Sequence, residues 1–379
     1  MLVGSSGLIA AVPLTTLLAR RRWRSACRPR RCRTPASTAT TFTSLGAMRL
    51  TAVLLFCAMA ASACGGGGDP DPVAQVPAGG GQREAVRAAT QSRAADFPAV
   101  EGRTLQEVAD GLDGTGPDAV MASSVFRTGE NRLAFGEIDG ETNRFVYGKT
   151  AIYVARTPDG RAKGPYAAPA DLLLTKPAFR SRQAATEGAL FAAVYAADVT
   201  FDRPGVWSIL AVTEVDGKRI GSPLQVEVLA PGKDLIPDVG ERAPKVETDT
   251  VASARGDVES IDTRVPPSDM HARSFADVAG KKPVALLFAT PQLCQSRVCG
   301  PVVDIAAQLK SKYGDRMEFI HQEVYVDNAL DKGLRPPLAR FNLQSEPWLF
   351  VVGRDGRVTR RLEGSFGLSA FEEAIRTAL

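Results

Sequence analysis

Residues 283–301 read PVALLFATPQLCQSRVCGP, and this stretch decides the fold of the C-terminal third of the chain. Residues 284–289 form a continuous apolar run that is short enough for a buried strand. Cys294 and Cys299 follow it with four residues between them, and residues 302–313 then carry apolar side chains at helical spacing. The pattern predicts a strand, a cysteine-bearing turn and a helix. It would place the Cys299 thiol at a helix N-terminus, where exposed N–H groups stabilise a thiolate.

The rest of the C-terminal sequence alternates strand and helix patterns. The predicted elements are strand 284–288, helix 302–313, strand 317–325, a helix near 338–341, strands 348–352 and 358–362, and helix 368–378. Ser369 is expected to cap the last helix, because Glu372 stands at capping-box distance. A βαβ unit followed by a hairpin and a final helix is the thioredoxin arrangement, and residues 269–379 resemble the thioredoxin-like superfamily, an α/β fold.

Two motifs carry this resemblance. Cys299-Gly300-Pro301 matches the first three residues of the C-G-P-C active site of that family. Glu346-Pro347 precedes a strand, where the family places a cis-proline that faces the cysteines. The resemblance implies Cys299 as nucleophile, Gly300 and Pro301 as its support, and Glu346 as a residue that offers its backbone to a partner.

The chain also departs from the thioredoxin pattern. Val302 stands where the family has its second cysteine, and residues 284–288 lack the buried acid of thioredoxin's central strand. The partner thiol available is Cys294, upstream of Cys299, in a C-x4-C arrangement that a turn could close. Cys294 could therefore act as a resolving thiol, a metal ligand or half of a structural disulfide.

The region around the two cysteines also resembles two other protein families. Ser296 lies three residues before Cys299, as the hydroxyl residue does in peroxiredoxins, and Arg297 could supply a guanidinium. Thioredoxin-like copper chaperones use two cysteines and a distant histidine, which makes His271 and His321 candidate partners of the thiols for Cu(I). Apart from that alternative, the sequence predicts no cofactor.

The N-terminal sequence predicts export. Residues 48–63 combine an arginine, a short apolar core and small residues, as secretory signals do, and the run ends at Cys64. This resembles the lipobox of bacterial lipoproteins, in which the cysteine is lipidated. We expect a protein anchored by lipid to the outer face of the bacterial cytoplasmic membrane. Residues 1–47 are interpreted as an over-extended reading frame.

Two further regions precede the thioredoxin-like part. Residues 64–118 are rich in Gly, Pro, Ala and Gln, and are predicted as a flexible tether with a short helix capped by Thr104 and Glu107. Residues 119–231 show short Val-, Ile- and Tyr-rich runs between turn signals, which predicts an all-β sandwich that resembles immunoglobulin-like modules. Residues 232–268, with many prolines and charges, are predicted as a linker or entry segment.

Composition narrows the classes of function. The formal net charge is +4, but residues 1–47 hold eight arginines and no acidic residue, so the remainder is acidic. Nucleic acid is therefore not expected as a partner. Six cysteines in 379 residues are too few for a disulfide-dense scaffold.

These observations favour a membrane-anchored thiol–disulfide oxidoreductase acting on protein thiols and disulfides outside the cytoplasm. A binding or scaffold lipoprotein, with a structural Cys294–Cys299 disulfide, is the alternative from another class. A thiol peroxidase and a copper chaperone are further alternatives.

Overall fold

The computed structural model describes residues 71–76, 81–186, 191–294 and 297–379. The signal segment 48–63, Cys64 and Ser296 lie outside these residues. Residues from Gly68 onward form one compact unit, so the β-rich and α/β parts share contacts. In the described part of the chain no helix is long and apolar enough to cross a membrane.

The β-rich part contains eleven strands. They are β1 Gly114–Thr115, β2 Asp118–Met121, β3 Phe126–Arg127, β4 Gly129–Asp139, β5 Arg144–Phe145, β6 Lys149–Ala155, β7 Lys163–Ala167, β8 Ala170–Leu172, β9 Ala193–Phe201, β10 Gly205–Val215 and β11 Lys218–Leu229. One sheet has the order β1-β11-β10-β6-β7, with β3 on β11, and the other has the order β2-β4-β9-β8, with β5 on β4.

The two sheets enclose one core. Phe135 and Tyr195 come from the β4–β9 sheet, whereas Ile152, Trp207 and Val226 come from the β6–β10–β11 sheet, and all five are buried together. The two sheets thus pack against each other, because side chains from both fill the space between them. The closer resemblance to immunoglobulin-like modules stays a prediction.

Seven α-helices are described. They are α1 Gln82–Ala89, α2 Leu105–Asp110, α3 Arg182–Thr186, α4 Phe275–Val278, α5 Cys299–Tyr313, α6 Pro336–Arg340 and α7 Leu368–Arg376. Helix α2 has the predicted capping box, since the Thr104 hydroxyl accepts from Glu107 N–H and the Glu107 carboxylate accepts from Thr104 N–H. Helix α1 corrects the tether prediction, because Val86 and Ala89 are buried in the sandwich core.

The C-terminal sheet has four strands. They are β12 Val284–Phe288, β13 Glu318–Gln322, β14 Trp348–Val352 and β15 Val358–Glu363. Their order is β13-β12-β14-β15, and β12 runs parallel to β13 and antiparallel to β14. The parallel pair β12–β13 with α5 between its strands, and the antiparallel pair β14–β15, are the βαβ unit and the hairpin predicted from the sequence. The continuous apolar run is explained by burial on both faces: Leu287 packs with α5 and α7, and Leu286 packs with α4 and α6.

Residues 246–268, which we call the strap, behave as the entry segment that the sequence offered as the alternative to a linker. The strap has little regular structure, but it is held against the α/β part by side-chain hydrogen bonds. Thr248 N–H donates to Ser274 Oγ, and Arg264 Nε donates to Asp304 Oδ1 at 2.8 Å. The structure thus extends the C-terminal domain well upstream of residue 269, because backbone polar groups in the strap find partners there.

The sandwich and the α/β part also meet directly. Glu363, at the end of β15, accepts hydrogen bonds from the N–H groups of Ser124 and Val125. The Asp171 carboxylate, from β8, accepts from the N–H groups of Gly367, Ser369 and Ala370 at the start of α7. The predicted capping role of Ser369 is therefore taken by a sandwich residue.

Candidate functional site

Cys299 lies at the N-terminus of α5, as predicted, but the helix begins at Cys299 itself, three residues before the predicted start at 302, and Gly300 and Pro301 lie in its first turn. Cys294 lies in the loop that leads from β12 to α5. The two Sγ atoms lie 2.6 Å apart, so the C-x4-C turn brings both thiols to one place. Cys299 is completely buried and Cys294 is 9% exposed.

The cysteine loop is fixed by its backbone. Arg297 adopts a left-handed conformation with φ 58°, and its N–H donates to the Cys294 carbonyl at 3.2 Å. Gln292 N–H donates to the Thr263 hydroxyl of the strap at 3.1 Å. The Arg297 side chain is exposed. Arg297 therefore shapes the turn through its backbone, and the strap ties the loop down from outside.

Glu346 reaches the cysteines with its side chain. The Glu346–Pro347 peptide is cis, as the resemblance implied. Glu346 Oε2 accepts from Thr290 N–H at 2.9 Å and lies 3.6 Å from Cys299 Sγ. Sequence reasoning gave Glu346 only a backbone role. The signal that could have found its side-chain role is an acid directly before a proline that faces the thiols.

Burial and negative neighbours set the protonation of this site. Burial raises the pKa of Cys299 well above its usual value, and Cys294 and Glu346 raise it further. This direction is opposite to the one expected from the helix N-terminus, and its largest cause is desolvation of the thiol by burial. Burial likewise raises the pKa of Glu346 to about 8, with a further contribution from Cys294.

Tyr325 interacts electrostatically with the two cysteines and with Glu346. Burial raises the pKa of its phenol, and Glu346, Cys294 and Cys299 add to the shift through their charges. Tyr325 was not singled out from the sequence, because it lies in the irregular segment after β13 with no motif around it.

The histidines do not join the cysteines. Among the described residues, the potential ligand atoms within 4.8 Å of one another fall into two groups: Cys294, Cys299 and Glu346 form one, and Asp262, His271 and His321 form the other. The predicted copper set of two thiols and an imidazole is therefore not assembled. For the peroxidase alternative, the side chain that lies 3.6 Å from Cys299 Sγ is that of Glu346, and Ser296 lies outside the described residues.

No family model matches the chain, and no curated protein matches it. Among solved structures, the chain is similar to a thiol:disulfide interchange protein DsbE from Chlorobium tepidum, at 16% identity over 38% of this chain and 98% of that chain, with a TM-score of 0.27. It is also similar to a thioredoxin-family thiol:disulfide interchange protein from Chlorobium tepidum TLS, at 16% identity over 36% of this chain and 94% of that chain, with a TM-score of 0.26. Likenesses at this level do not identify an activity.

Proposed function

We propose that the chain is a thiol–disulfide oxidoreductase whose Cys294–Cys299 pair cycles between dithiol and disulfide. The observation that carries the proposal is the contact of two Sγ atoms at 2.6 Å with a carboxylate oxygen 3.6 Å from one of them. Two thiols that can bond, together with an adjacent proton acceptor, are the groups that disulfide exchange needs.

The difference in exposure between the two cysteines supports one order of attack. Cys294 is 9% exposed, whereas Cys299 is completely buried, so a substrate reaches Cys294 first. This reverses the roles expected from the sequence, in which Cys299 was the nucleophile. Cys294 then forms the mixed disulfide and Cys299 resolves it, because it is already in contact with the sulfur that it attacks.

The exchange balances as follows. Cys294 loses its proton to solvent, and its thiolate attacks one sulfur of a substrate disulfide. An S–S bond forms between Cys294 and that sulfur as the substrate S–S bond breaks, and the released sulfur takes up a proton from solvent. Cys299 gives its proton to Glu346 and attacks Cys294, and the first substrate sulfur leaves and is protonated. The protein dithiol is oxidised to a disulfide, and the substrate disulfide is reduced to two thiols.

Trapping of the mixed disulfide tests these roles. In a chain with Cys27, Cys32, Cys57 and Cys64 changed to Ser, Cys299→Ser should accumulate an adduct at Cys294 with a small aromatic disulfide. The matched Cys294→Ser variant should react at least about tenfold more slowly at buried Cys299. Faster labelling of Cys299 would restore the order of attack predicted from the sequence.

A scaffold function remains the second candidate, because complete burial of Cys299 also suits a structural disulfide. The redox equilibrium with a glutathione buffer separates the two. A cycling pair should equilibrate at a potential between roughly −120 and −300 mV, the range of exchanging pairs, whereas a structural disulfide lies below about −300 mV. Failure to exchange at any accessible potential would refute the oxidoreductase proposal.

The proposal includes export and lipid anchoring through Cys64, which the sequence of residues 48–64 supports. Metabolic labelling with a fatty acid in a bacterial host should modify the chain, and Cys64→Ser should abolish the label. Cys57→Ser is the matched control within the same segment and should keep it. Unchanged labelling of Cys64→Ser would contradict the anchor.

A further inference from the structure

The chain contains only two histidines, and both are completely buried against one carboxylate. His271 Nε2 lies 3.0 Å from Asp262 Oδ2, and His321 Nδ1 lies 3.5 Å from the same oxygen. Asp262 comes from the strap, His271 from the segment before α4 and His321 from β13. Three separate parts of the chain therefore contribute one side chain each to this cluster.

The tautomer of His321 is fixed by its surroundings. His321 Nε2 lies 2.9 Å from the Ala289 carbonyl, which can only accept, so Nε2 carries a hydrogen. In a neutral imidazole Nδ1 then presents a lone pair toward Asp262. A histidine whose other nitrogen donates to a backbone carbonyl is the usual arrangement of a metal ligand.

Several buried atoms of the cluster make no hydrogen bond. Within the described part of the chain, His271 Nδ1, His321 Nδ1 and Glu323 Oε2 are buried without a hydrogen-bond partner. Glu323 is completely buried and follows His321 by two residues, and the two side chains interact electrostatically. Its other oxygen accepts from Thr263 of the strap at 2.7 and 2.6 Å. His321 Nδ1, which lies 3.5 Å from Asp262 Oδ2, is the unpaired atom that a cation between these two side chains would engage.

We propose that Asp262, His271 and His321 bind a divalent first-row cation of the Zn²⁺ class. Their potential ligand atoms all lie within 4.8 Å of one another. Ligand atoms about 2.1 Å from a tetrahedral zinc ion lie about 3.4 Å from one another, and the two observed separations from Asp262 Oδ2 bracket that value. Two imidazoles and a carboxylate suit zinc, and its charge compensates the buried Asp262 carboxylate.

The Asp262 carboxylate is itself held in place. Its Oδ2 accepts from Ser268 N–H at 2.7 Å, and its Oδ1 accepts from Arg264 N–H at 2.9 Å. All three side chains are completely buried, so the site would be structural, because a substrate has no access to it. The metal would fasten the strap to β13 and thereby hold Thr263, which anchors the cysteine loop through Gln292.

Because the site is sealed, zinc must be loaded during folding. The test uses the untagged full chain with all six cysteines changed to Ser, which removes thiol ligands and separates this inference from the redox proposal. The protein is unfolded with chelator, refolded with or without ZnCl₂, and freed of loose metal. We expect one zinc ion per chain, and a higher unfolding temperature after refolding with zinc.

Variants identify the site. Asp262→Asn and His271→Gln should each weaken zinc binding by about tenfold or more. Asp304→Asn is the matched control, since Asp304 is a buried carboxylate paired with Arg264 and should leave zinc binding intact. Should these variants fail to fold, X-ray absorption at the zinc edge of the cysteine-free chain must still show two imidazoles among oxygen and nitrogen ligands. Absence of zinc from the refolded cysteine-free chain, or zinc without imidazole scattering, would overturn the proposal.

Discussion

Glu137 in the β-sandwich and Glu346 beside the cysteines are both buried carboxylates with raised pKa values. Burial raises the pKa of Glu137 to about 7 and that of Glu346 to about 8. Their neighbours differ: Glu137 accepts from the Thr213 hydroxyl at 2.7 Å, whereas Glu346 lies 3.6 Å from a thiol. In both regions the raised pKa reflects burial of the carboxyl group. Only Glu346 lies beside a group, the Cys299 thiol, with which it can exchange a proton.

The largest effect on stability is expected from a substitution where the sandwich meets the α/β part. Gly364, at φ 72°, has no room for a Cβ, which would meet the Ala122 carbonyl oxygen of the sandwich at 1.6 Å. Gly364→Ala should lower the free energy of unfolding by about 4 kcal/mol, because the two parts must separate.

Gly280→Ala is the control for Gly364→Ala. Its φ of 76° is similar, but nothing lies within 4 Å of its Cβ position, so only the backbone strain of about 1 kcal/mol applies. Chemical denaturation of both variants measures the difference. Equal losses would mean that the sandwich is not tightly packed on the α/β part.

Glu137 should make the free energy of unfolding depend on pH. Its pKa is higher in the folded chain than the usual 4.5, so the folded state holds the proton more tightly. The free energy of unfolding should then fall as pH rises from about 4.5 through 7, by on the order of 3 kcal/mol. Glu137→Gln should reduce the decline measured by urea denaturation between pH 5 and pH 8 and leave the contribution of Glu346, and exchange activity should be unchanged. A decline of undiminished size would contradict the assignment.

Much of the fold could be predicted because its signals are local. Strand β12 was identified from its apolar run, and the start of α5 followed from Cys299-Gly300-Pro301. The contacts of the strap were missed because its prolines and charges resemble a linker, and its partners Ser274, Asp304 and Glu323 are distant in sequence.

Only part of the candidate site could be predicted from the sequence. The proximity of Cys294 and Cys299 could be predicted from the sequence, because the turn between them is short. The sequence could not assign the Glu346 side chain, whose position depends on a hydrogen bond to Thr290 56 residues away. Burial of Cys299 also depends on the whole fold, so its raised pKa could not be derived from a helix N-terminus alone.

Glu346→Gln separates two roles of this carboxylate. If Glu346 accepts the Cys299 proton, the variant should resolve a mixed disulfide about tenfold more slowly, and the pH profile should lose its inflection near 8. If Glu346 only repels the thiolate, the variant should react faster, because removal of the charge lowers the pKa of Cys299. Single-turnover rates from pH 6 to pH 10, with Glu137→Gln as the matched variant, decide between them.

The smallest expected effect concerns the sandwich carboxylate that caps α7. Asp171 accepts three N–H groups at the start of this helix, and Arg132 lies 3.9 Å from it. Asp171→Asn should cost about 1 kcal/mol of stability and should accelerate amide hydrogen exchange in the first turn of α7. The exposed Asp198 in the same sheet is the matched control, and Asp198→Asn should change neither quantity.

The cap predicted from the sequence, Ser369, leads to a different expected result for hydrogen exchange in α7. If Ser369 were the cap, Ser369→Ala would accelerate exchange in α7 and Asp171→Asn would not. Because the backbone N–H of Ser369 donates to Asp171, the serine hydroxyl is not needed for the cap. A response to Asp171→Asn alone would show that the last helix of the α/β part begins at a side chain of the sandwich, so that the two regions differ in chemistry but depend on each other for their structure.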